Sequence, residues 1–176
     1  MVEFSVFDLV NVADQSRHVP LDSWVEPLQL EALDLYRARF APSGHEKTPY
    51  AMAGINVIVA ETDTEAERLF TSNQQRVIDI LRGTRGYLKP PIDDIAAYGS
   101  PAERAQADNM LSCSFVGSPT TVEAKLRDFV DRTEVDELIV ASAVFDHQTR
   151  LQSHGLLDDI AARMSDALAI RRKALP

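Results

Sequence analysis

Three residues near the last third of the chain have the types that acid–base chemistry requires. Ser142, Asp146 and His147 lie on or just after the apolar run Leu138-Ile139-Val140-Ala141-Ser142-Ala143-Val144-Phe145, which reads as a strand. In parallel β/α folds, ligands and catalytic groups collect at the C-terminal ends of strands. Asp146 would there orient the His147 imidazole, whose ordinary pKa suits proton transfer at neutral pH. The same placement also fits a helix start, with Asp146 and His147 capping the last helix in water. Asp8 ends an earlier strand-like run and faces either a pocket or a turn. Ser118 precedes Pro119, where a helix N-terminus either binds phosphate or is simply capped.

Stronger signatures are absent. The sequence has no phosphate-binding loop ending in Gly-Lys-Ser/Thr, no glycine-rich dinucleotide fingerprint, no HExxH and no nucleophile elbow. The histidines at 18, 45, 147 and 154 lack metal-ligand spacing, so no metal site is expected.

The elements that would position these residues alternate in type. Val2 to Leu9 reads as a strand within positions 1–10, and 11–27 as a linker with two prolines. A helix opens at Pro27 and carries Leu28, Ala32, Leu33, Leu35, Tyr36 and Phe40 on a broad apolar face until Pro42-Ser43-Gly44 stops it. Tyr50 to Ala60 is continuously apolar, as in a parallel strand covered on both faces. Thr62 to Glu65 has capping-box spacing and leads a helix with Leu69, Phe70, Val77, Ile80 and Leu81 at helical intervals. Positions 83–100 hold Gly83, Gly86, Pro90, Pro91 and Gly99 and read as a loop insertion, either a lid or a plain surface loop. Pro101 opens a short helix to about Leu111, and Ser112 to Val116 is a short strand. Ser118 and Pro119 begin a helix striped by Val122, Leu126, Phe129 and Val130. After the run at 138–145, a final helix from about Thr149 to Arg172 buries Leu151, Leu157, Ile160, Ala161, Met164 and Leu168. Strands alternating with helices predict an α/β fold with a parallel sheet, built as a single domain over 1–176.

Composition excludes several functions. The 176 residues are 45% hydrophobic and 26% charged, within the range of globular proteins. A net charge of −9 argues against nucleic acid, whose phosphates are bound through Lys and Arg. No apolar run reaches the roughly 20 residues of a membrane helix, and Met1-Val2-Glu3 has neither a basic leader nor an apolar stretch. The single cysteine, Cys113, excludes an intrachain disulfide. A cytoplasmic protein is the expectation.

Several stretches together carry a family resemblance. LDLYRARFAPS (Leu33 to Ser43), MAGINVIVAETDTEAERLFTS (Met52 to Ser72), KPPIDD (Lys89 to Asp94), MLSCSFVGSPTTV (Met110 to Val122) and DELIVASAVFDHQTRLQS (Asp136 to Ser153) resemble, in order and spacing, the C-terminal part of the bacterial luciferase-like, flavin-dependent monooxygenases. FSVFDL (Phe4 to Leu9) resembles the first barrel strand of that family. The resemblance implies a TIM-type (β/α) barrel that binds reduced FMN and uses molecular oxygen on an organic substrate. It also implies a departure: strands two to five, with an active-site histidine region and much of the flavin phosphate site, have only the short Val10 to Pro27 segment in their place. The expected molecule is a partial barrel in which the first strand and the last three form one contiguous arc.

On the resemblance, Phe7, Asp8 and Ser142 line the flavin-side rim, Asp146 and His147 are the catalytic candidates, and Gly117-Ser118 forms a structural turn. The open edges and inner face of the arc predict a homodimer that covers them. Two functions remain in view, a flavin-dependent oxidoreductase and a non-catalytic flavin- or partner-binding half-barrel. A small-anion site at the Ser118 helix start is a third.

Overall fold

The computed structural model describes residues 3–6, 25–42, 47–84 and 86–174, with side chains over 30–42, 47–84 and 86–165. In chain order the elements are β1 (Glu3–Val6), α1 (Val25–Arg39), β2 (Met52–Val59), α2 (Asp63–Leu81), a 3-10 turn (Ile95–Ala97), α3 (Pro101–Met110), β3 (Ser114–Gly117), α4 (Pro119–Thr133), β4 (Glu137–Ala141) and α5 (His147–Ala174). Alternation along β2 sends Ile55, Val57 and Val59 to one face of the sheet. There they pack with Leu138 and Val140 of β4, Val122, Leu126 and Phe129 of α4, and Ile160 and Met164 of α5. Ile58 joins Ala60, Val144 and Val116 in a smaller cluster against Ala66, Leu69 and Phe70 of α2. The near-continuous apolar character of β2 thus reflects cover on both faces at its C-terminal half.

Among the described residues the four strands are all parallel, in the order β1-β4-β2-β3. A barrel wrap lays strands side by side in chain order and predicts β3 between β2 and β4. The structure places β4 between β1 and β2, with β3 at the outer edge. The cause lies in which face each connecting helix covers. The α2 crossover from β2 to β3 lies on one face of the sheet, whereas α4, between β3 and β4, lies on the other. Parallel crossovers are right-handed, so a change of face reverses the direction in which strands are added. Among the described residues β3 pairs only with Asn56–Val59 of β2.

Two local differences bear on the site. The strand expected to run to Phe145 ends as β4 at Ala141, because α5 begins at His147 and the intervening residues turn into it. The 83–100 segment is fastened to α2 over much of its length. Gln75 Nε2 donates to the Pro90 carbonyl, Ile92 N donates to Thr71 Oγ1 at 2.9 Å, and Tyr98 donates to Asp79 Oδ1 at 2.6 Å. Lys89 pairs with Asp79 at 2.7 Å. Glu65, expected to reach back in a capping box, is instead held by Arg68, while Thr62 Oγ1 accepts from Glu65 N as a simple cap. No helix among the described residues is long and apolar enough to cross a membrane.

Candidate functional site

The C-terminal ends of β2, β3 and β4 form one rim, with α2, α4 and α5 starting from it. Ser142 stands just past β4, and its Oγ is buried without a hydrogen-bond partner. A buried hydroxyl left without a partner is costly, which marks the position as one where a ligand or ordered water would be satisfied. Nearby, Asn73 of α2 donates to the Ala143 carbonyl at 3.0 Å, tying α2 to this end of β4. Asp146 accepts through Oδ1 from Thr149 N at 2.8 Å and from Thr149 Oγ1 at 2.9 Å. The Thr149 backbone N–H, followed by its hydroxyl, holds the Asp146 carboxyl below the usual carboxylate range. His147 Nδ1 lies 2.9 Å from Arg150 Nη2. Asp146 therefore has the geometry of a helix cap, and His147 sits exposed on the first turn of α5. Phe7, Asp8, His18 and His45 lie outside the described residues.

The helix start at Ser118 holds an anion that belongs to the chain. Ser118 N donates to Asp63 Oδ1 at 2.6 Å, and the Ser118 side chain makes no cap bond of its own, its Oγ donating instead to Thr121 Oγ1. The Ser118 amide, then the Thr121 hydroxyl, draws the Asp63 pKa down. Gly117 makes this approach possible. Its φ of +152° disfavours a side chain, and a Cβ there would stand 2.7 Å from Asp63 Oδ1. With Thr62 on α2 and Asp146 on α5, all three helix starts at the rim are closed by side chains of the chain itself. Of the two readings of Ser118, the anion site loses this amide to the chain's own carboxylate.

Below the rim, the sheet face turned away from α4 and α5 is partly open. Strand register aligns Met52 with Glu137, Gly54 with Ile139 and Asn56 with Ala141. Met52 is 55% exposed, and the other five are half-buried. Asn56 Nδ2 donates weakly to Ser114 Oγ at 3.4 Å. This face combines apolar surface with the Asn56 amide and, at its lower end, the Glu137 carboxylate, which accepts from the Tyr50 hydroxyl at 3.0 Å; its upper part is a surface on which a flat, mainly apolar ring system can lie. Among the described residues, no three His, Cys, Asp or Glu side chains gather as a metal site.

Sequence reasoning missed Asp63, Asn73 and Asn56. Asp63 was legible as a first-turn acid, but its partner is 55 positions away, and Asn73 reaches across 70. No periodicity reports such distances.

Comparison with known proteins adds relatives to this geometry. No family model matches the chain. It is 44% identical over 129 residues to the uncharacterized protein YvbT of Bacillus subtilis, covering 73% of this chain and 38% of that one. It is 42% identical over 130 residues to a luciferase-like monooxygenase of Escherichia coli, covering 74% of this chain and 39% of that one. Its α/β fold is similar to the crystal structure of apo-MsnO8, with a TM-score of 0.60 and 29% identity over 77% of this chain and 41% of that one. The chain is thus similar to a luciferase-like monooxygenase over most of its own length, while spanning about two-fifths of the length of the proteins it matches.

Proposed function

We propose that the chain belongs to the luciferase-like flavin-dependent monooxygenases and supplies one wall of a flavin site. The observation that carries this reading is the 42% identity to the Escherichia coli protein over 130 residues, 74% of this chain. In this reading β1, β4 and β2 are neighbouring strands of a partial (β/α) barrel, and β3 is an accessory strand at its edge.

The residues present fit the ring end of FMN. Ser142 offers a buried, unpartnered hydroxyl, and Met52, Ile139 and Asn56 offer a half-apolar surface. They do not fit the phosphate end, since each helix start at the rim is already closed. Bound reduced flavin would supply the reaction with oxygen, and this chain's residues would orient the ring and shield it from water.

The test is a fluorescence titration with oxidised and chemically reduced FMN, with riboflavin in parallel. Saturable binding with similar affinity for FMN and riboflavin, weakened by Ser142→Leu, is the expected result. No change in flavin fluorescence at about 100 μM would overturn this reading. It would favour the non-catalytic, partner-binding half-barrel, to which the capping geometry of Asp146 already lends support.

A further inference from the structure

Alternation along β2 turns Asn56 to the sheet face opposite Ile55, Val57 and Val59, the face that it shares with Met52 and Gly54. Its neighbours in register are small, Ala141 on β4 and Ser114 on β3, so Asn56 is the longest side chain of its row. One amide proton is weakly engaged, Nδ2 donating to Ser114 Oγ at 3.4 Å. An asparagine side chain also carries a second amide proton and a carbonyl acceptor, and neither has a partner among the described residues. Toward the N-terminal end of β2 the same face turns apolar, with Gly54 beside Ile139 and then Met52, which is 55% exposed. Four residues, about 13 Å along the strand, separate Asn56 from Met52, a span on the scale of a three-ring system.

We propose that Asn56 selects the polar edge of the flavin ring: its Oδ1 accepts from the imide N–H, its free amide proton goes to an adjacent ring carbonyl, and the dimethylbenzene end lies toward Met52. The proposal rests on the reading of this face as one wall of a flavin site. A flat ring laid on the face takes water away from the Asn56 amide, and a desolvated amide without a partner is costly. Covering Asn56 with the dimethylbenzene end leaves that cost unmet. The imide edge instead offers a donor flanked by acceptors and satisfies both halves of the amide. Glu137, at the other end of the face, is a poorer reader of that edge. Its carboxylate has acceptors only and repels the ring carbonyls, and it already accepts from the Tyr50 hydroxyl at 3.0 Å in an exposed position. Between the two ends, Gly54 and Ile139 carry no polar side chain, which suits the hydrocarbon part of the ring.

Fluorescence titration of the full chain tests this with two probes: oxidised lumiflavin, which has the ring and no phosphate, and lumiflavin methylated at the imide nitrogen. The methylated ring binds the unaltered chain about tenfold more weakly, the factor given by about 1.4 kcal/mol of lost hydrogen bonding. Asn56→Leu, at a half-buried strand position, weakens lumiflavin and binds the two rings alike, because the group that told them apart is gone. Asn56→Ala does the same and serves where the larger side chain disturbs the fold. Glu137→Gln preserves the discrimination. Equal binding of the two rings by the unaltered chain overturns the proposal and leaves the flavin reading standing. Discrimination that survives both Asn56 variants, or that disappears in Glu137→Gln, overturns it as well. Failure of lumiflavin itself to bind overturns the flavin reading and this proposal together.

Discussion

Replacing Gly117 by alanine tests how the rim is built. The added Cβ would meet Asp63 Oδ1 at 2.7 Å, Thr121 Cγ2 at 2.8 Å and Thr121 Cβ at 2.9 Å, on a backbone whose φ is +152°. The backbone strain costs about 1–3 kcal/mol, and contacts this short add about 1–3 kcal/mol of overpacking. The sum, roughly 2–6 kcal/mol, lowers the melting temperature by about 2–4 °C per kcal/mol at this chain length. The assay is urea unfolding followed by far-UV dichroism, with Gly155→Ala as control. Gly155 lies inside α5 with nothing near its would-be Cβ, so alanine there stabilises by about 0.5–1 kcal/mol. In an Asp63→Ala background the Gly117→Ala cost shrinks, because the shortest contact is gone. A Gly117→Ala cost below about 1 kcal/mol, or one indifferent to Asp63, would refute the reasoning.

Leu138 is fully buried at the centre of the sheet, and Leu138→Ala costs about 2–5 kcal/mol through lost burial and the cavity left behind, read by the same urea transition. Glu103 is held at a pKa of about 2 by the Arg82 guanidinium and then by the Ser100 amide. Its contribution is therefore present above its ordinary value of 4.5 and is lost as pH falls from there toward 2. Glu103→Gln accordingly lowers the urea midpoint at pH 7 and converges with the unaltered chain near pH 2. Parallel midpoints across that range would show that the Arg82 pair contributes nothing.

The elements themselves were largely legible. Local forces decide where α2 and α4 begin: a side-chain oxygen at Thr62 and a ring-restricted residue at Pro119 act within a few residues. The stripe of Val122, Leu126 and Phe129 announced the buried face of α4, and all three are buried. The site was less legible. Asp146 and His147 had two readings from spacing, and only coordinates showed Asp146 bonded to Thr149 at the start of α5. The carboxylate at the Ser118 amide is the chain's own Asp63, visible only when α2 and α4 leave the same rim.

By itself the sequence determined that strands and helices alternate, which faces are apolar, and which stretches resemble a known family. Each of these is a property of neighbours along the chain. Tertiary structure decided the strand order, the buried Ser142 hydroxyl without a partner among the described residues, and the way β4 and β3 share the two sides of β2. Those depend on which face each crossover helix covers, and that is set by competition for burial among residues far apart in sequence, which no local pattern encodes.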